Sequence, residues 1–251
     1  MIEHSEFEKR LHEHILLSPA PGKHAARSAL RHLERAWTLV ESMPEVAIFL
    51  GITAEEESAT AVFLSLQRRK YKDSNRLQIH SHVQKTALHP FLLGVGRVIG
   101  EFPEFNDSCF IFDTDSSPDK SEQLRLRFSV HAAEGLIYAM PMPPLNFSIR
   151  KNDSQHDFSE ELSKLASDKN ANNINDYIRQ IANRRNAVLY ASPKGIPYAE
   201  NVTEFLKYRK SVVYSHLIAY LLVDQHREKQ LFPQQCIDAF LKTLVRVPNK
   251  F

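Results

Sequence analysis

Residues Pro44–Tyr71 read PEVAIFLGITAEEESATAVFLSLQRRKY, and their periodicity decides what kind of chain this is. Phe49, Ile52, Glu56, Ala59, Phe63 and Leu66 follow one another at alternating steps of three and four, which puts them on one face of a helix. A carboxylate therefore stands inside an apolar stripe. Leu50, Thr53, Glu57 and Leu64 run beside it, so Glu57 borders the same stripe. Burying Glu56 without a partner would cost on the order of several kcal/mol. The pattern demands a cation, hydrogen-bond donors or a wet cavity supplied by another part of the chain.

Working outward from this helix, helical spacing dominates on both sides. Phe7, Leu11 and Ile15 mark a short amphipathic helix that ends before Pro19-Ala20-Pro21-Gly22, free to dock on the body or on a partner. Ala26, Ala29, Leu33, Trp37 and Val40 predict a helix over about residues 24 to 42. A further helix is expected over about 76 to 101, with Ile79, Val83, Ala87, Val95 and Val98 facing the core and a kink or break at Pro90. His82, Lys85 and His89 share another of its faces.

After Pro103 the period changes. Leu124, Leu126, Phe128 and Val130 alternate with Arg125, Arg127 and Ser129, and apolar runs lie at Cys109–Phe112 and Leu136–Met140, which reads as half-buried antiparallel strands. Arg125 and Arg127 are expected on the solvated face. Helical spacing resumes near 158 to 168, 172 to 189, 201 to 227 and 233 to 246, with Pro233 suited to a helix start. The expected organisation is an N-terminal helix and linker (1–22), a first part of a helical bundle (23–104), a β insertion (105–150) and a second part of the bundle (151–251). The fold class is mainly α with a small antiparallel β insertion.

The bulk composition narrows the function classes. With 32 basic and 30 acidic residues the formal net charge is +2, so no global field draws the chain to nucleic acid or to an anionic membrane. Any RNA contact has to be local. Cys109 and Cys236 stand far apart with no CxxC pair, which argues against a disulfide scaffold or a cysteine-based zinc site. The opening MIEHSEFEKRLHEH carries acidic residues and no continuous apolar run, unlike a signal peptide, and no stretch approaches a bare apolar span of membrane length. A reducing cytoplasm is the expected compartment.

The second informative stretch is Arg184–Pro197, RRNAVLYASPKGIP. On a regular helix Asn186 and Tyr190 share a face while Arg185 stands about 140° round from Tyr190. These groups converge only if the helix ends near Leu189, which Pro193 and Gly195 allow. Cations at a helix C-terminus complement its dipole, and that alone accounts for Arg184 and Arg185. A contact from Glu56 or Glu57 to Arg185 would satisfy the buried acid as well, and would hold the guanidinium rigid for a phosphate.

Arginine followed by histidine at short spacing also occurs at Arg76/His82, at Arg125/His131 and, with one residue of slack, at Arg209/His216. His216 lies with Val212, Ala219 and Val223 and reads as a core histidine. His80 and His82 diverge on a helix by about 200°, so with His89 they make a poor metal site.

Taken in order, ITAEEESATAVF, IHSHVQK and RRNAVLYASPKGIP resemble the HEPN superfamily of helical bundles, above all its abortive-infection (AbiV-like) branch of phage-resistance proteins. The resemblance covers about residues 24 to 103 and 170 to 247. It implies a HEPN-like helical bundle that forms a homodimer and brings two arginine-containing motifs into one cleft, acting on RNA or translation without a metal or cofactor. Many members are metal-independent endoribonucleases in which histidine follows the arginine. Here Arg185 and Asn186 match the start of that motif and Tyr190 takes the histidine position.

Tyrosine titrates near 10 and is a poor base at neutral pH, though it can donate a hydrogen bond to a leaving oxygen. The resemblance thus implies Arg185, Asn186, Tyr190 and Glu56 as reacting groups, with Glu57, Arg184, His82, Lys85 and Lys194 as binding groups. The alternative it leaves open is a non-catalytic module that binds a nucleotide or a protein partner.

Overall fold

The computed structural model describes residues 2–102, 107–114, 121–132, 135–146, 150–151, 154–165, 168–191 and 195–247. It contains α1 (Glu6–Leu17), α2 (Gly22–Thr38), α3 (Pro44–Arg68), α4 (His82–Gly100), β1 (Cys109–Asp113), β2 (Gln123–Ala132), β3 (Gly135–Ala139), a two-residue pairing of β4 (Arg150–Lys151) with β5 (Ser154–Gln155), α5 (Ser159–Lys164), α6 (Asp168–Leu189), α7 (Val202–Asp224) and α8 (Leu231–Leu244). The chain is mainly helical with a small antiparallel sheet. Among the described residues no helix is long and apolar enough to cross a membrane.

Helix α3 is the axis of the bundle. It packs most extensively on α2 and α7 and also touches α4 and α6, so it is enclosed on nearly every side. Ala47, Ile48, Ile52, Ala54, Ala59, Ala61, Val62 and Phe63 are all buried, a wider belt than the single face its spacing suggests. Small residues make that enclosure possible: a Cβ on Gly51 would come within 2.8 Å of Leu206 on α7. The helix closes with Lys70 in the left-handed region, where the Tyr71 N–H bonds back to the Leu66 carbonyl at 3.1 Å.

Helix α1 docks on the body. Its start is a capping box, Ser5 receiving the Glu8 N–H while Glu8 receives the Ser5 N–H. Leu11 and Ile15 are fully buried, and the Tyr214 hydroxyl of α7 bonds His4 Nδ1 at 2.9 Å and His12 Nε2 at 2.6 Å. Helix α4 starts at His82, capped by Ser81, later than its spacing suggests because residues 74–76 form a separate 3-10 turn; it continues through Pro90 to Gly100.

Within the β insertion, β2 is the central strand. Its first half pairs with β1 (Phe112 opposite Leu124, Cys109 opposite Arg127) and its second half with β3 (Phe128 opposite Ala139). Leu124, Leu126 and Phe128 point into the main core, as alternation predicts. Arg125 does not follow the expectation of a solvated face. It is fully buried, its guanidinium against the Met142 sulfur, because the segment after β3 folds over that side of the sheet. Arg127 keeps to the surface side, stacked 4.5 Å from the Tyr138 ring centroid. Arg10 and His14 of α1 both bond Glu122, tying the insertion to the bundle.

Between the insertion and α3, α4, α7 and α8 lies an apolar cavity of about 480 Å³. Water fills such a space poorly, because a buried water needs several polar partners and the lining is almost entirely hydrocarbon.

Candidate functional site

Successive helix positions turn by about 100°, so the three consecutive glutamates of α3 address three different neighbours. Glu55 faces α6 and α7, Glu56 faces α4, and Glu57 lies toward α2, where its charge acts on His32. The sequence pattern singles out Glu56 and Glu57; the structure buries Glu55 most deeply, at 1% exposure.

Glu55 is the centre of a buried network. Its carboxylate bonds Arg209 Nη1 on α7 and receives the Tyr177 hydroxyl of α6 at 3.0 Å, while Arg209 Nη1 lies 2.7 Å from the same Tyr177 oxygen. The guanidinium is stacked among rings, 4.8 Å from the centroid of Phe205, 4.9 Å from Tyr208 and 5.6 Å from Tyr177. Burial works against both charges, raising the carboxyl and depressing the guanidinium. The adjacent Glu55 and Tyr177 more than restore the cation, so Arg209 sits above its ordinary pKa, whereas burial keeps Glu55 raised despite Arg209. Replacing Tyr177 by Phe keeps the ring and removes one hydrogen bond from each charge; a loss of about 1–2 kcal/mol in urea unfolding is expected.

Arg209 and His216 are seven residues apart on α7, about 20° from eclipsed, and so share a face. The His216 ring is fully buried, 6.0 Å from the His89 ring, and its Nδ1 lies 2.9 Å from the Ser58 hydroxyl. Ser58 spends its single hydrogen on the Glu55 carbonyl at 2.7 Å, which assigns the imidazole proton to Nδ1 of His216. Burial holds His216 down to about 3 and His89 to about 4, so both are neutral at physiological pH. His89 Nε2 meets the Tyr208 hydroxyl at 2.8 Å, and Tyr208 is 44% exposed, which makes it the solvent edge of this interior cluster. Ser58→Ala should cost about 1–3 kcal/mol, since it strands a buried N–H; thermal unfolding reads this directly.

Glu56 has its own partners on the first turn of α4. His82 Nδ1 lies at 2.6 Å and Lys85 Nζ at 3.4 Å from the same carboxylate oxygen. The structure thus brings Glu56, His82 and Lys85 together, but the expected contact of Glu56 or Glu57 with Arg185 is not made among the described residues. The reason is axial position. Tyr177 is the α6 residue level with Glu55, and Arg185 lies eight residues further along, about 12 Å.

Arg185 instead edges the stripe formed by Ile181 and Val188, which packs beside Ile48, Ile52 and Leu206. Arg184 donates to the Glu200 carbonyl at 2.5 Å and stacks on Phe205 at 4.9 Å, tying the segment before α7 to the end of α6. Asn186 and Tyr190 face solvent, Tyr190 at 64% exposure, and α6 runs regularly to Leu189 without the distortion that would bring Arg185 and Tyr190 together. Lys194 lies outside the described residues.

The outer side of α6 carries an open hollow of about 540 Å³ lined by Asp176, Arg179, Gln180, Asn183, Arg184 and Ala187. Among the described residues no three His, Cys, Asp or Glu side chains gather as metal ligands.

Glu55, Tyr177 and Tyr208 were not singled out by the sequence pattern, and Arg209 only through its spacing to His216. A signal was present. Ile48, Ile52, Glu55, Ala59 and Val62 also run at steps of three and four, and so do Leu206, Arg209, Val213, His216 and Tyr220. Two apolar stripes, each interrupted by one charge of opposite sign, are candidates to face each other. Compared with family models, with curated proteins and with solved structures, the chain matches none.

Proposed function

We propose that this chain is a HEPN-type protein of antiphage defence that acts on RNA or translation by binding rather than by cutting, as a homodimer. The sequence resemblance supplies the class. The observation that carries the binding mode is the outer side of α6, where Arg179, Asn183 and Arg184 with Asp176 and Gln180 edge an open hollow, and the chain beyond the helix end carries exposed tyrosines. Arg179, Asn183 and Arg184 line the hollow, and Tyr190 and Tyr198 are 64% and 70% exposed. Guanidinium donors suit phosphate and exposed aromatic faces suit unpaired bases, the combination that holds single-stranded RNA without a strong sequence preference.

A nuclease is the second reading, favoured by the spacing of Arg209 and His216 on one face of α7. Their burial, at 3% and 0% exposure, keeps both from a nucleic-acid chain in this conformation. They serve the bundle as a charge pair and a neutral core histidine.

The test is fluorescence anisotropy of a labelled single-stranded RNA in EDTA, with the RNA afterwards run on a denaturing gel. Arg179→Ala with Arg184→Ala should weaken binding about tenfold and lower the salt slope by about 1, and Tyr190→Ala should weaken it about tenfold with the slope unchanged. Intact RNA accompanies both results. Absence of RNA binding by the wild type would overturn the proposal, and cutting in EDTA would replace it with the nuclease.

A further inference from the structure

The cavity beneath the β insertion is a slot rather than a sphere. Its wall along α4 runs from Leu88 to Gly100, about 18 Å of helix, while its volume is about 480 Å³. A space of that length and volume is about as wide as one hydrocarbon chain. Its size falls in the range of small-molecule sites, which are mostly apolar. Phenylalanines from five elements, among them Phe91, Phe128 and Phe240, line it, and its polar groups are few.

A second observation concerns how α4 is built. Gly96 and Gly100, four residues apart on one face of the helix, both edge the slot on its solvent side, and a Cβ at either position would meet nothing within 4 Å. Glycine inside a helix is less favourable than alanine, and among the described residues no close approach of another chain segment requires it here. What the two glycines do is leave the mouth of the slot open.

We propose that this slot binds a single unbranched hydrocarbon chain of about 14 carbons, with its head group left at the mouth beside Gly96 and Gly100. Among the described residues the lining offers no charged group to hold a carboxylate or phosphate inside. Chain length, not head group, therefore sets affinity. A free fatty acid and a lysophospholipid share this chemistry.

The experiment uses the full chain and tritiated tetradecanoate in equilibrium dialysis, a probe that adds no bulk to the hydrocarbon chain. Tetradecanoate and tetradecanol should displace it equally, octanoate at least tenfold less well, and naphthalene not at all. A myristoyl lysophospholipid arm and a phospholipid vesicle arm then separate the sources, a free chain from one presented by a bilayer. Gly96→Leu and Ala219→Phe, at the mouth and on the inner wall, should weaken binding at least tenfold, whereas Arg97→Ala, next along α4 but outside the slot, should leave it unchanged. Gly96→Ala should raise the melting temperature by removing a helix-interior glycine, which shows that weaker binding in Gly96→Leu is not a folding defect. No probe binding, binding undiminished in both Leu and Phe variants, or preference for naphthalene over tetradecanol would overturn the proposal.

Discussion

Replacing Arg209 by Leu should lower the stability of this protein by about 3–5 kcal/mol, since it leaves the Glu55 carboxylate fully buried without its cation. For a chain of this length each kcal/mol moves the melting temperature by about 2–4 °C, so the midpoint should fall by about 6–20 °C. The pair is different from its parts. Removing both charges together, in Glu55→Leu with Arg209→Met, should restore most of the loss, because the site is walled by Phe205, Tyr177 and Tyr208 and accepts hydrocarbon. A double-mutant cycle in urea isolates the coupling. Additive losses would mean that Glu55 and Arg209 stabilise the bundle separately and that their contact is incidental.

The second large effect is acid sensitivity. His89, His216 and His226 are each buried, and loss of solvation, the largest effect on all three, depresses them to about 4, 3 and 4 from an ordinary 6.5. In the folded protein they stay neutral, whereas the unfolded chain takes up a proton at each as the pH falls through 6.5. The stability these groups confer is complete above that value and is lost on the way down toward 4. Each contributes up to about 1.4 kcal/mol per pH unit within that window, so the three together remove about 5 kcal/mol between pH 7 and pH 5.

That is a large part of a typical domain's total stability. Urea midpoints measured at pH 7, 6 and 5 read the slope. His12, also depressed to about 4 by burial, adds to the same window, so His226→Gln should reduce the slope by about a quarter, and a flat profile over this range would show that these histidines protonate in place. Carboxylates with depressed values, such as Glu8 and Glu122, act in the same direction but at lower pH, so they do not account for a loss that begins at 6.5.

Much of the architecture was legible because burial writes a period into the chain. Phe7, Leu11 and Ile15 gave α1, the alternation of Leu124, Leu126 and Phe128 gave β2, and every long helix was anticipated to within a few residues at most ends. Two failures have one cause. The spacing argument assumes that an element has one buried face, and α3 and β2 have two. On α3 the assumption put Glu56 inward and passed over Glu55; on β2 it put Arg125 in water, where the segment carrying Met142 in fact covers it.

The site residues divide along the same line. That an acid on α3 needed a partner followed from the residues alone, because a lone buried carboxylate is too costly anywhere. Which cation would answer it did not follow. Arg185 and Arg209 both stand near apolar stripes of amphipathic helices, and the choice between them rests on how far α6 and α7 slide along α3. That axial register arises from packing details, such as Leu206 fitted over Gly51 and Tyr177 level with Glu55. Local sequence determined the elements, their faces and the presence of an unsatisfied charge within the core. Only the assembled bundle decided which charges meet, since a contact between helices depends on the heights at which their side chains interlock, and periodicity records the angle around a helix but not the position along its neighbour.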